Sequence, residues 1–149
     1  MCLILREKDG DKPYNTSTER WKTVLVNDKG EITSRWVYTE KWTIGEWKRG
    51  VMVPGWRKTV FEEWVTDANG NGHGESVLDH DHGIHVYLAE SDARYSCAFT
   101  RRDVAPFIRL AKVEVREFLA SGVTEWISGF ATETWKEARI IELKELPCA

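Results

Sequence analysis

Cysteine is scarce in this sequence, and the three present, Cys2, Cys97 and Cys148, stand far apart and odd in number. A secreted disulfide framework needs an even, spaced set, so reduced thiols in a cytoplasmic setting are expected. Long apolar runs are missing as well. No stretch approaches the roughly 18–20 apolar residues of a membrane-spanning helix. The run from Met1 to Leu5 is too short for a signal peptide and meets charge at Arg6. A basic excess is absent: 21 Lys and Arg face 24 Asp and Glu, for a net charge of -3. Nucleic-acid binding is therefore not indicated, and neither is the strong acidity of a DNA mimic. Phosphate-loop, dinucleotide, kinase and nucleophile-elbow patterns do not occur, which lowers the expectation of an ordinary metabolic enzyme.

What is present is a globular composition. Hydrophobic residues at 42% suffice for a core, and 149 residues fit one domain. The unusual component is eight tryptophans, six of them in the first half: Trp21, Trp36, Trp42, Trp47, Trp56 and Trp64. Two readings stand side by side. The rings pave sheet faces, as aromatic strand preference suggests, or several stay exposed as a contact surface, since Trp is enriched at interface hot spots. Trp36, Trp42, Trp47 and Trp56 are the candidates for such a surface.

Read along the chain, the expected class is α+β: a single domain with mainly antiparallel, strongly twisted sheet and one or two short helices. Cys2–Leu5 reads as a short strand. The run from Trp21 to Val26 and the run from Ile32 to Tyr38 flank Asn27-Asp28-Lys29-Gly30, a strong hairpin signal. A further strand-like run spans Arg57 to Val65. The glycines and asparagines after Asp67 mark a surface loop near 67–83, within one domain because neither flank is large enough for its own core. Ile84 to Leu88 is a compact strand. A helix is expected near Glu90, with Ser91 as its cap and with Ala93, Cys97 and the pair Tyr95/Phe99 forming a buried stripe. Alternation over Phe107 to Val115 predicts a strand, followed by a helical turn over Arg116 to Ala120, and Trp135 to Leu146 predicts a closing strand.

Chemistry has few places to sit. All four histidines, His73, His80, His82 and His85, fall within thirteen residues and interleave with Asp79 and Asp81. Imidazole and carboxylate are ligands for zinc or another divalent transition metal, so His80, His82 and His85 are the metal candidates. The spacing matches no established zinc signature, and convergence needs a bend at Gly83. The competing reading makes Asp79–His82 a polar turn and His85 a hydrogen-bonded structural histidine, with no cofactor. Cys2, exposed by loss of Met1, has the logic of an N-terminal nucleophile, against which the following Leu-Ile-Leu run argues. Arg94, Arg101, Arg102 and Arg109 are candidates for an anion site or for simple helix-end charges.

Several segments occur in a familiar order. They are Met1-Cys2-Leu3-Ile4-Leu5, Trp21-Lys22-Thr23-Val24-Leu25, Gly83-Ile84-His85-Val86-Tyr87-Leu88, Glu90-Ser91-Asp92-Ala93, Lys112-Val113-Glu114-Val115-Arg116 with Ala120-Ser121-Gly122, and Ala138-Arg139-Ile140-Ile141-Glu142-Leu143. Together they resemble small proteins of tailed bacteriophages and prophages that carry no agreed activity. The resemblance implies a phage-encoded accessory protein in the host bacterial cytoplasm. Such a protein is expected to bind and modulate or inhibit a host bacterial protein, with an anti-defence role as one form of this and with homo-oligomers as another outcome. The alternative is an enzyme: a metal-dependent hydrolase using the His73–His85 cluster, or an NAD-using enzyme similar to ADP-ribosyltransferases. In the second, His85 would pair with Glu125 or Glu133. No membrane partner is expected.

Overall fold

The strongest local signal, Asn27 to Gly30, folds as a tight turn. Asn27 Oδ1 accepts from the backbone N–H of Lys29 (3.0 Å) and Glu31 (2.9 Å), and Gly30 N–H donates to Asn27 O at 2.9 Å. Gly30 has φ of +79°, a conformation that glycine adopts without steric cost. In the computed structural model this turn joins β2 (Glu19–Val26) to β3 (Ile32–Ser34). The structure describes residues 3–6, 13–35, 40–50, 57–61, 65–66, 72–73, 76–79, 83–99, 101–124 and 131–147.

The remaining strands are β1 (Leu3–Arg6), β4 (Lys41–Trp42), β5 (Lys48–Arg49), β6 (Arg57–Phe61), β7 (Val65–Thr66), β8 (Gly72–His73), β9 (Ser76–Asp79), β10 (Ile84–Tyr87), β11 (Ile108–Thr124) and β12 (Ala131–Pro147). Ten form one sheet in the order β4-β3-β2-β10-β12-β11-β1-β6-β9, with β5 added to β12. A further β2–β11 pairing closes β2, β10, β12 and β11 into a small barrel. Among the described strands every pairing is antiparallel except β1 with β6. β7 and β8 form a separate two-stranded ribbon. Among the described residues the class is therefore mainly antiparallel sheet with one α-helix, closer to all-β than the sequence suggests. Two strands, β8 and β9, lie within the segment read from sequence as a loop near 67–83.

Alternation along the barrel strands sends one side chain set inward. The core consists of Val24, Ile84, Val86, Ala111, Val113, Val115, Trp135, Ala138 and Ile140, extended by Ile32 and Trp42 from the β3–β4 edge. Branched residues dominate it, which suits a pleated, enclosed surface. The opposite face of β2 and β11 is covered by helix α1 (Glu90–Ser96) and the 3₁₀ turns Cys97–Phe99 and Ala105–Phe107. There Leu25, Cys97 and Ile108 form one cluster, and Tyr87, Ala93 and Leu110 another, with Trp21 against it.

Three local expectations are corrected. Ser91 does not cap α1: the helix begins at Glu90 and its N-cap is extended Ala89, without a side-chain cap. Ala93 and Cys97 are buried as expected, but Tyr95 is 51% exposed, because two residues of helix rotate it about 200° from Ala93. No helical turn follows Val115. β11 runs on to Thr124, held by pairs such as Arg116↔Glu137 and Phe118↔Trp135. The irregularity there is a bulge: Glu117 has φ of +59°, and the register shifts between Phe118 and Ala120.

Gly83 opens β10 where two backbones meet. A Cβ at this position would lie 2.5 Å from Leu119 Cδ1 and 2.6 Å from the Trp135 carbonyl oxygen. A Cβ at its neighbour Gly50, whose N–H donates to Lys136 O at 2.8 Å, would lie 3.0 Å from the Gly83 carbonyl carbon, a less severe approach. Glycine here is a packing requirement.

Candidate binding face

On β12, Ala138 and Ile140 enter the core, so Glu137 and Arg139 lie on the outer face. On β11, Val113 and Val115 enter the core, leaving Glu114 and Arg116 outside. The register sets Glu114 opposite Arg139 and Arg116 opposite Glu137. Arg139 Nη2 donates to Glu114 Oε2 at 3.0 Å, Arg116 Nε donates to Glu137 Oε2, and Arg49 of β5 reaches Glu137 at 3.7 Å. Three cations thus share two carboxylates.

An indole lies across this ladder. The tight turn between β4 and β5, in which Glu46 N–H donates to Thr43 O and Gly45 N–H to Ile140 O, carries Trp47 over β12. The Trp47 ring centroid is 3.9 Å from the Arg116 guanidinium carbon and 4.8 Å from that of Arg139, both within cation–π range. Trp47 itself is half-buried. Beside it the same turn presents Ile44, 53% exposed, and β12 presents Ile141, 38% exposed. Arg139 Nε is buried and has no hydrogen-bond partner among the described residues. Farther along, half-buried Trp21 has the ammonium groups of Lys112 and Lys144 each 5.9 Å from its ring. Those lysines pair with Glu19 (3.2 Å) and Glu142 (2.8 Å). The Lys144 bond holds the Glu142 carboxyl below the usual carboxylate range.

The barrel interior carries polar groups of its own. Arg20 and Glu133 are fully buried and paired through Arg20 Nε and Glu133 Oε1. The Tyr14 N–H donates to Glu133 Oε2 (2.9 Å), and Arg20 Nη1 donates to the carbonyls of Ser17 (2.6 Å) and Glu19 (2.8 Å). The pair therefore fastens the segment from Tyr14 to Ser17 to the barrel. Arg20 also lies over the Trp135 ring at 5.7 Å. Nearby, Lys22 Nζ donates to the His85 carbonyl at 3.0 Å, and burial lowers its pKa to about 8 against the opposing pull of Glu40. β2 and β10 share the single bridge Tyr87↔Trp21, and Lys22 fills the seam where they diverge.

The sequence-predicted residues separate. Of the four candidate surface tryptophans, Trp47 is on the face just described. Trp42 is a core residue, 5% exposed, whose Nε1–H donates to Ser34 Oγ at 2.8 Å, so its indole faces inward and takes no part in an outer surface. Trp36 and Trp56 lie outside the described residues. So do His80 and His82, while His73 is on β8. His85 is half-buried on the face of β10 opposite Ile84 and Val86, across from Thr134, whose buried hydroxyl has no partner among the described residues. Glu133 pairs with Val86 and shares the interior face, so His85 and Glu133 lie on opposite sides of the sheet. Glu125 and Cys2 lie outside the described residues. The four arginines do not converge: Arg94 pairs with Glu90, Arg101 with Asp103, Arg109 with the carbonyls of Pro106 and Ile108, and Arg102 is exposed. Sequence reading missed Arg116 and Arg139, although charge at alternate positions in both strands was the available signal.

Comparison with protein-family models, curated sequences and solved structures found no match to this chain.

Proposed function

We propose that this chain is a non-enzymatic binding module that engages a host bacterial protein, as a phage-encoded accessory factor would. The observation that carries the reading is Trp47 lying over Arg116 and Arg139, bordered by exposed Ile44 and Ile141. Trp and Arg are the residue types most enriched at interface hot spots, and a ring pre-stacked on guanidinium groups loses little rotamer freedom on binding. The phage-like resemblance supplies the host context, and modulation or inhibition of the bound protein is the activity proposed. No helix among the described residues is long and apolar enough to cross a membrane.

The test is capture from bacterial lysate by immobilised full-length protein and by a Trp47→Ala variant, with thermal unfolding of both recorded. The expected result is one stoichiometric partner that binds Trp47→Ala about thirtyfold more weakly, given the 2 kcal/mol or more of a hot-spot truncation. Absence of a stoichiometric partner, equal capture by the variant, or symmetric self-association through this face would each overturn the reading.

A further inference from the structure

The guanidinium groups under Trp47 are unevenly satisfied. A guanidinium presents five N–H donors. Arg116 spends one of them on Glu137 and Arg139 spends one on Glu114, while Arg139 Nε has no partner among the described residues. Glu137 is shared with Arg49, so the network of three cations and two carboxylates is left with a positive remainder. That remainder lies in a chain whose net charge is -3. The planar groups are already oriented by the indole and by the sheet register, and a carboxylate is the acceptor that matches a guanidinium fork. Nearby, Ile44 of the β4–β5 turn and Ile141 of β12 are exposed apolar residues, and the turn lies against β12 through the Gly45 N–H to Ile140 O bond.

We infer that the Trp47 face takes an acidic peptide segment of its partner, with Asp or Glu carboxylates on Arg116 and Arg139 and apolar side chains against Ile44, Trp47 and Ile141. The inference rests on the reading of this face as a docking surface and goes further by fixing the chemistry of the occupant. Incoming carboxylates compete with Glu114 and Glu137 for the same guanidinium groups, so binding weakens as salt rises. Apolar flanks keep part of the affinity at high salt.

The experiment uses the full chain and calorimetric titration with synthetic peptides of equal length in which Leu alternates with Glu, Gln or Lys, together with an oligo-dT strand. The Glu peptide is expected to bind about tenfold more tightly than the Gln peptide, the size of one charge-assisted hydrogen-bonded contact. An Arg116→Gln/Arg139→Gln double variant is expected to erase that difference. If the double variant does not fold, Arg116→Gln alone carries the test, because the Arg116 side chain is half exposed. Equal affinity for the Glu and Gln peptides, with Trp47→Ala weakening both, overturns the acidic-segment inference and leaves the docking face standing. Failure of the Glu peptide to bind, tighter binding of oligo-dT, or an unchanged Glu preference in the arginine variants also overturns it. Loss of lysate capture by Trp47→Ala is measured separately, so failure of the docking face itself is recognised on its own.

Discussion

Replacing Lys22 by methionine isolates the electrostatic cost of a buried amine. In the folded chain this amine titrates at about 8, against 10.5 for the unperturbed group, because burial disfavours the ammonium. The sign follows from proton counting. Between these two values the unfolded chain holds a proton that the folded chain has released, so stability rises with pH across the window. The linkage amounts to a ceiling of about 3 kcal/mol in all, of which about 2 kcal/mol falls between pH 8 and 10, and partial solvent access reduces both. Methionine keeps the stem but not the charge, and it leaves the His85 carbonyl without its 3.0 Å donor, a loss of about 1–3 kcal/mol. Near pH 7 the two effects offset, and the variant should be close to wild type. At pH 10 wild type should have gained about 2 kcal/mol over the variant. Urea unfolding of both proteins at pH 7, 8, 9 and 10 measures the difference and removes the titration of shared groups. The window stops at pH 10 because burial raises the Tyr87 pKa, and above its ordinary value the folded state holds the extra proton and loses stability. A wild-type-minus-variant stability that stays flat over this range would refute the account of Lys22.

Other perturbations probe separate parts of the fold. Gly83→Ala sets a methyl group against the Trp135 carbonyl and should cost about 2–3 kcal/mol in denaturant unfolding; a neutral outcome would show that the close approach relaxes freely. Glu133→Gln leaves Arg20 charged and buried without its counterion, for a loss of about 3–5 kcal/mol, whereas an Arg20→Met/Glu133→Leu double variant should recover most of it. Glu117→Gly relieves a left-handed backbone position and should raise stability by about 0.5–1 kcal/mol, read as a higher melting temperature.

The legible parts of this fold are those fixed by local chemistry. The Asn27–Gly30 turn, the Ile84–Tyr87 strand and the closing strand were all readable, because turn residues and apolar alternation act over a few positions. Closure of the barrel was not readable, since it depends on which strands pair. β2 meets β11 across more than eighty residues of sequence, and nothing local encodes that partner. The same distance hid the Arg20–Glu133 pair and brought Trp47 to Arg116 and Arg139. The bulge at Glu117 misled for a related reason. A run such as Arg116 to Ala120 has good helix formers, and only the β12 partner holds it extended. Tryptophan content was a real signal with an unresolved meaning: Trp42 and Trp135 are core residues, and Trp21 and Trp47 lie half-buried against cations.

The pairing of β2 with β11, and of both β10 and β11 with β12, also sets the order in which the protein can be made. During synthesis the β2–β3 hairpin emerges early, with its β3 edge taken by β4 and its β2 edge awaiting β11. β12 supplies the shared partner of β10, β11 and β5, and it is translated after all of them. The barrel therefore closes only when residues 131–147 have left the ribosome. Folding is expected to be slow, in the millisecond-to-second range of non-local β topologies. Until then the early hairpin presents an unpaired strand edge, and low temperature or chaperones during expression should raise the soluble yield.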